Sequence, residues 1–139
     1  MSILDTNVIS SLMRAPADRA VLDWLDQQPR TSVWITAVTL LEVHFGLDVM
    51  ADGRRKPIRA KAFKQLVDEK LERRIANFDA AAAQETAVLM GARQRRGEPR
   101  DLRESMIAGI ALARRAVLAT RNVKHFDDAG IEIVNPWQS

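Results

Sequence analysis

Cysteine is absent from the chain, and that absence excludes disulfide frameworks, thiolate zinc sites, iron–sulfur clusters and cysteine nucleophiles. Histidine is nearly absent: only His44 and His125 occur, too few for a site built mainly from imidazole. A metal bound here would bind oxygen, which points to magnesium or manganese. No apolar run approaches the roughly 20 residues of a membrane span, so no membrane partner is expected. The opening Met1-Ser2-Ile3-Leu4-Asp5 lacks the basic segment and apolar stretch of a secretory signal. A cytoplasmic location is the expectation. The phosphate-cradling patterns GxGxxG and GxxxxGKS/T are missing, as is the GxSxG nucleophile elbow.

What is present suits one folded unit. The 139 residues are 47% apolar and 28% charged, enough to bury a core without staples. A single domain over residues 1–139 is expected. Lys+Arg number 21 against 18 Asp+Glu, a net charge of +3, too mild alone to argue for nucleic acid. Sixteen of those 21 bases are arginine, and they cluster at Arg54-Arg55-Lys56, Arg73-Arg74, Arg93/Arg95/Arg96, Arg100/Arg103, Arg114-Arg115 and Arg121/Lys124. Guanidinium forks suit phosphate oxygens, although any one cluster reads equally well as a solvated helix end.

Strands and helices alternate along the chain. Short apolar strands are expected at Ser2–Asp5, Ser32–Ile35, Ile75–Phe78, Ala116–Thr120 and Ile131–Val134. Helices are expected from Val8 to Met13, after Asp18, from Thr36 to about Met50, within Lys56–Glu72, from Asp79 to about Arg96, and from Asp101 or Leu102 to Arg114. Five strands separated by helices predict an α/β fold with a mainly parallel five-stranded sheet flanked by helices. In such sheets, chemistry collects beyond the carboxyl ends of the strands, where Asp5 and Thr120–Asn122 would lie.

Three acids stand out. Asp5-Thr6-Asn7 follows a strand and precedes a helix, and it reads either as an N-cap or as part of a site. Glu42 shares one helical stripe with Val38, Phe45, Gly46 and Val49, so it is expected inside an apolar face. A carboxylate there needs a proton, a partner or a metal. Glu104 fits a capping box begun by Asp101, with its carboxylate reaching back to the Asp101 backbone. It also shares a face with Ile107, Ala108 and Ala111. If the three acids converge, a divalent ion relieves their repulsion and can activate water for attack on a phosphodiester. A phosphoaspartate enzyme usually carries a second aspartate two positions after the first, but Asn7 stands there. His125, His44 and the three tryptophans (Trp24, Trp34, Trp137) read as surface, packing or interface residues.

The motifs Leu4-Asp5-Thr6-Asn7-Val8-Ile9-Ser10, Leu41-Glu42, Glu104 two positions before Met106-Ile107-Ala108, and Thr120-Arg121-Asn122-Val123 with Phe126 together resemble the PIN-domain ribonucleases. The closest type is the VapC/FitB-like toxin of bacterial toxin–antitoxin pairs, and the likeness extends to Val134-Asn135-Pro136-Trp137. The resemblance implies a single PIN-like domain and a metal-dependent endoribonuclease. It implies that Asp5, Glu42 and Glu104 hold Mg2+ or Mn2+, with Asn122 in a fourth catalytic position. Thr6, Asn7 and Thr120 are implied as supporting residues. Two positions depart from the family pattern: Glu104 replaces the usual aspartate, and Asn122 stands where many members have an acid. The resemblance further implies an RNA substrate, a cognate antitoxin with a DNA-binding part, operator DNA reached only through that antitoxin, and a homodimer. Two other readings remain: a catalytically weak or inactive module of the same fold that binds RNA or protein, and a small-molecule phosphohydrolase.

Overall fold

The computed structural model describes residues 1–138. Five strands, β1 (Ser2–Leu4), β2 (Val33–Thr36), β3 (Ile75–Ala76), β4 (Val117–Ala119) and β5 (Ile133–Val134), form one sheet in the order β3-β2-β1-β4-β5. Every pairing is parallel, with Ile3 opposite Trp34 on one side and Leu118 on the other. Strand alternation divides the apolar residues between two faces. Leu4, Val33, Ile35 and Ala119 join one buried cluster, while Ile3 and Leu118 join the other.

Six helices cover those faces: α1 (Thr6–Leu12), α2 (Arg19–Asp26), α3 (Ala37–Val49), α4 (Arg55–Gln65), α5 (Ala80–Arg95) and α6 (Leu102–Arg114). The first face packs on Val8 and Ile9 of α1, Val21, Trp24 and Leu25 of α2, and Phe63 of α4. The second packs on Ala82 and Leu89 of α5 and on Ile107, Ala108, Ile110 and Ala111 of α6. Helix α4 runs on into a π-turn, Leu66–Lys70, closed by Leu71 N–H donating to the Leu66 carbonyl at 2.9 Å. Helices α5 and α6 approach closely because position 109 is glycine. A Cβ there would lie 1.8 Å from Thr86 Oγ1 and 2.7 Å from the Ala82 carbonyl.

The predicted elements all form, with shifted ends. Asp5 lies just past β1 as the N-cap of α1, so the first helix starts two residues earlier than Val8. The last strand begins at Ile133, not Ile131. One expectation fails in kind. The α3 stripe carrying Glu42 does not face the core, since Phe45 is 58% exposed and Val49 63%. Helix α3 is apolar nearly all round. Val38 and Val43 supply its buried contacts while Leu41, Phe45 and Val49 point outward.

The chain runs from β1 outward to β2 and β3, then crosses back to place β4 on the other side of β1. That reversal opens a crevice beyond the carboxyl ends of β1 and β4, and Asp5 and Thr120 stand at its floor. Among the described residues, no helix is long and apolar enough to cross a membrane.

Candidate active site

Asp5 is the most constrained residue of the crevice. Its backbone N–H donates to the Ala119 carbonyl at 2.9 Å, continuing the β1–β4 ladder by one residue. Its Oδ1 accepts from Thr6 N–H at 2.8 Å, the N-cap of α1. Its Oδ2 accepts from Thr120 Oγ1 at 2.7 Å and from Asn7 Nδ2 at 3.3 Å. Cap and site are therefore the same carboxylate. Asp5 is 4% exposed, and burial holds its pKa above the usual carboxylate value. The bonds from Thr120 and Thr6 oppose that rise, while the charges of Glu104 and Glu42 add to it.

Asn7 and Thr120 tie the two strand ends together. Asn7 Nδ2 donates to Thr120 Oγ1 at 3.2 Å, and Asn7 Oδ1 accepts from Arg121 N–H at 3.1 Å. Thr120 Oγ1 also accepts from Asn122 N–H at 3.0 Å, which fixes the backbone of the fourth candidate position.

Glu42 is oriented by threonines. Thr6 Oγ1 donates to Glu42 Oε1 at 2.8 Å and lies 3.0 Å from Thr39 Oγ1, which lies 3.3 Å from Thr36 Oγ1. Each hydroxyl has one proton. With Thr6 committed to Glu42, Thr39 donates to Thr6 and Thr36 to Thr39, so three hydroxyls point toward one carboxylate. Thr36 and Thr39 are fully buried, and local pattern marks Thr36 only as a helix start. Arg103 Nε stands 3.9 Å from Glu42 Oε2, a loose and half-exposed pairing.

Glu104 corrects the capping-box expectation. Asp101 Oδ1 does accept from Glu104 N–H at 3.0 Å, but the Glu104 carboxylate turns away from the Asp101 backbone and meets His125 Nδ1 at 2.6 Å. A carboxylate only accepts, so Nδ1 carries the hydrogen. His125, expected to be a bystander, is thus a partner of a candidate acid. His44 packs edge-on against Phe63 at 5.4 Å between ring centroids, away from the site.

A buried arginine sets the wall behind Glu104. Arg93 on α5 is 1% exposed and grips Asp128 through Nε and Nη2, both at 2.9 Å. Its remaining donors reach Ser105 Oγ at 3.0 Å and the His125 carbonyl at 3.2 Å. One guanidinium therefore bridges Ser105, the residue after Glu104, and the backbone of His125. The Asp128 carboxyl is pulled down to about 2, chiefly by its bonds to Arg93.

A cavity of about 590 Å3 opens over this floor and brings Asp5, Glu42, Glu104 and Asn122 together with Arg14, Arg103 and Arg121. The four candidate positions thus share one space. Their carboxylates do not converge as they stand: among the described residues, no three acidic or imidazole side chains are close enough together to hold an ion. Glu42 leans to its threonines and Glu104 to His125.

An all-parallel five-stranded sheet flanked by helices, with a carboxylate-lined crevice at its switch point, defines an α/β protein whose candidate site lies where such sheets place their chemistry. A family model for the PIN domain matches residues 2–132, and the chain belongs to that family. It is similar to a VapC ribonuclease of Sinorhizobium fredii, 38% identical over 138 residues and covering 99% of both chains. Among solved structures it is similar to FitAB bound to a DNA fragment (28% identity, TM-score 0.87, 99% of this chain and 96% of that one). It is also similar to a chain of a toxin–antitoxin complex from Klebsiella pneumoniae (25% identity, TM-score 0.67, 98% of both).

Proposed function

We propose that this single-domain protein is a divalent-metal-dependent ribonuclease, the toxin of a toxin–antitoxin pair, acting in the cytoplasm. The observation that carries the reading is Asp5: a desolvated carboxylate, fixed by three donors, facing two further acids at the switch point of the sheet. Among the described residues, no cationic side chain makes an ion pair with it, although Arg14, Arg103 and Arg121 line the same cavity. The donor set, all oxygen, fits Mg2+ or Mn2+, and Asp5, Glu42 and Glu104 are the residues that would hold it. When bound, such an ion supplies Lewis-acid polarisation of a phosphodiester and an activated water.

The chain's own residues do the rest. Thr6, Asn7 and Thr120 hold Asp5 in one orientation, so no reorganisation is needed when charge develops nearby. The Thr36–Thr39–Thr6 hydroxyls do the same for Glu42. Asn122 offers an amide at the mouth of the cavity, able to orient a water or a phosphate oxygen without adding charge. Attack of water on phosphorus forms one P–O bond as one ester P–O bond breaks, and the proton that the water loses is balanced by the one the leaving oxygen takes up.

The similarity to FitAB and to the toxin–antitoxin complex supports a cognate antitoxin as partner, with operator DNA contacted only through it. Leu41, Phe45 and Val49, exposed on one face of α3, support a homodimer. Val38 on the same helix is buried and Leu12 of α1 packs against the core, so neither adds to that exposed surface.

A second reading, a non-catalytic module of the same fold, is favoured by the divergence of Glu42 and Glu104. One experiment separates the two. Purified, antitoxin-free protein is incubated with RNA and Mn2+, alongside Asp5→Asn. Metal-dependent cleavage that vanishes in Asp5→Asn supports the nuclease. Binding of RNA with no cleavage by either protein refutes it.

A further inference from the structure

Five acids, Asp5, Asp18, Glu42, Asp101 and Glu104, line the cavity, a forbidding approach for a polyanion. The rim answers with arginines in unequal states. Arg103 is loosely paired with Glu42. Arg14 and Arg121 are exposed and, among the described residues, neither makes an ion pair with a carboxylate, whereas Arg93, Arg96 and Arg100 are all engaged by Asp128. Arg121 is nevertheless held in place. Its backbone N–H donates to Asn7 Oδ1, which ties it to the residue that also contacts Asp5. Its guanidinium lies 4.9 Å from the centroid of the Trp137 ring. Trp137 is itself anchored, with its N–H bonded to Asn135 Oδ1 at 3.0 Å and its ring packed against the buried cluster under α2.

A guanidinium seated on an aromatic face keeps its charge and its donor fork while losing less freedom when it binds. Placed one residue from the cavity floor and without an acid partner, such a group is built to receive an oxyanion. We propose that Arg121, seated on Trp137, is a phosphate subsite for single-stranded RNA, gripping the phosphodiester that adjoins the one reaching Asp5, with Arg14 as a second cation on the same rim. The inference rests on the nuclease reading above and names its substrate more narrowly. The substrate is single-stranded because Asp5, 4% exposed at the floor, is reached only by a phosphate that enters the cavity. A stacked duplex presents its phosphates on a convex surface and keeps them outside.

The test is fluorescence anisotropy with a labelled ten-nucleotide single-stranded RNA, using the full chain carrying Asp5→Asn and checking the recovered oligonucleotide for length. Adding Arg121→Ala should weaken binding about tenfold. It should also flatten the dependence of log K on log salt by roughly 0.7, the signature of one phosphate contact to a single strand. Arg121→Lys should keep that slope and lose less affinity, a rescue that a purely packing role for Arg121 would not give. Arg55→Ala, an exposed arginine outside the cavity, should change neither quantity. A duplex of the same sequence should bind more weakly than the single strand. The proposal is overturned if Arg121→Ala behaves like Arg55→Ala, as expected were the rim reserved for a protein partner, if duplex and single strand bind alike, or if the parent binds no RNA. Cleavage is read separately with Asp5 intact. Arg121-dependent binding without Mn2+-dependent cleavage sinks the nuclease reading and leaves the subsite, while cleavage with Arg121-indifferent binding sinks the subsite alone.

Discussion

Asp128→Ala should destabilise the protein more than removing its buried partner does. Asp128 is 17% exposed and still has Arg96 at 2.6 Å and Arg100 at 3.2 Å if Arg93 is lost. Arg93, 1% exposed, has no second carboxylate partner among the described residues. Truncating Asp128 strands a desolvated guanidinium on one hydroxyl and one carbonyl, a situation that typically costs about 3–5 kcal/mol. Truncating Arg93 to Met fills similar volume with apolar atoms and leaves Asp128 at the rim. The fall of the Asp128 carboxyl from 3.8 to about 2 corresponds to about 2 kcal/mol of stability at neutral pH, which bounds the electrostatic loss in Arg93→Met. The double variant should cost less than the sum of the singles, because the stranded charge is gone. The pH sense follows from a lowered folded value. The Asp128 contribution is complete above the unfolded carboxylate range near about 4 and fades as pH falls toward about 2. Urea unfolding of the parent and three variants across that range measures all of this. A gap between parent and Asp128→Ala that stays constant from neutral to acid pH, or an Arg93→Met cost exceeding that of Asp128→Ala, refutes the reasoning.

Asp5→Asn should be at least as stable as the parent at neutral pH without divalent ions, because burial penalises the Asp5 charge. The raised folded pKa puts this difference above the ordinary carboxylate range and shrinks it as pH falls below about 4, where both states are protonated. Thermal unfolding at two pH values checks it, and a marked loss of stability at neutral pH counts against the site. Glu104→Asp places there the acid that the family resemblance implies and gives up the 2.6 Å contact with His125. Initial cleavage rates with Mn2+ should be equal or higher, and complete loss means that the site depends on the longer side chain. Phe45→Lys places a charge in the exposed α3 face and should convert a dimer to a 15.6 kDa monomer in sedimentation velocity. A parent that is already monomeric at micromolar concentration removes the dimer from the account.

Residues whose role is set by local pattern were legible in the sequence. Asp5 was found because an apolar strand ends in three polar residues where one cap suffices, and the structure uses all three. The order of strands and helices was legible for the same reason, since period and caps are local signals. Glu42 was found for a reason that only partly holds. Periodicity reports that a stripe is apolar, not what covers it, and Phe45 and Val49 turn out to face solvent. Glu104 shows the opposite failure. A capping box is a local motif, and its backbone half forms, but a histidine 21 residues away captures the carboxylate. Arg93 sits in the last turn of α5, where a cation ordinarily complements the helix end. Only its distant bond to Asp128 makes it a core residue.

Glu104 and Asn122, where the family resemblance implies aspartate, make physical sense together. An aspartate at 122 would add another carboxylate to a cavity that already holds five, beside an Asp5 whose charge burial disfavours. Asparagine keeps an oxygen at the mouth without that charge. The extra methylene of Glu104 lets its carboxylate sit against His125 Nδ1 and not directly over Asp5. Glu42 likewise rests on a run of threonine hydroxyls and near Arg103. Two of the three candidate ligands are thus satisfied by neighbours when no cation is bound, and only Asp5 carries the electrostatic cost of waiting. On the proposed reading such a site folds without metal, and its affinity for one should depend on how easily Glu104 leaves His125. His125→Ala therefore belongs with Glu104→Asp as a probe. Removing the imidazole frees the Glu104 carboxylate and should strengthen Mn2+ binding measured by calorimetry; weaker binding in His125→Ala refutes this account and makes the imidazole the group that aims Glu104.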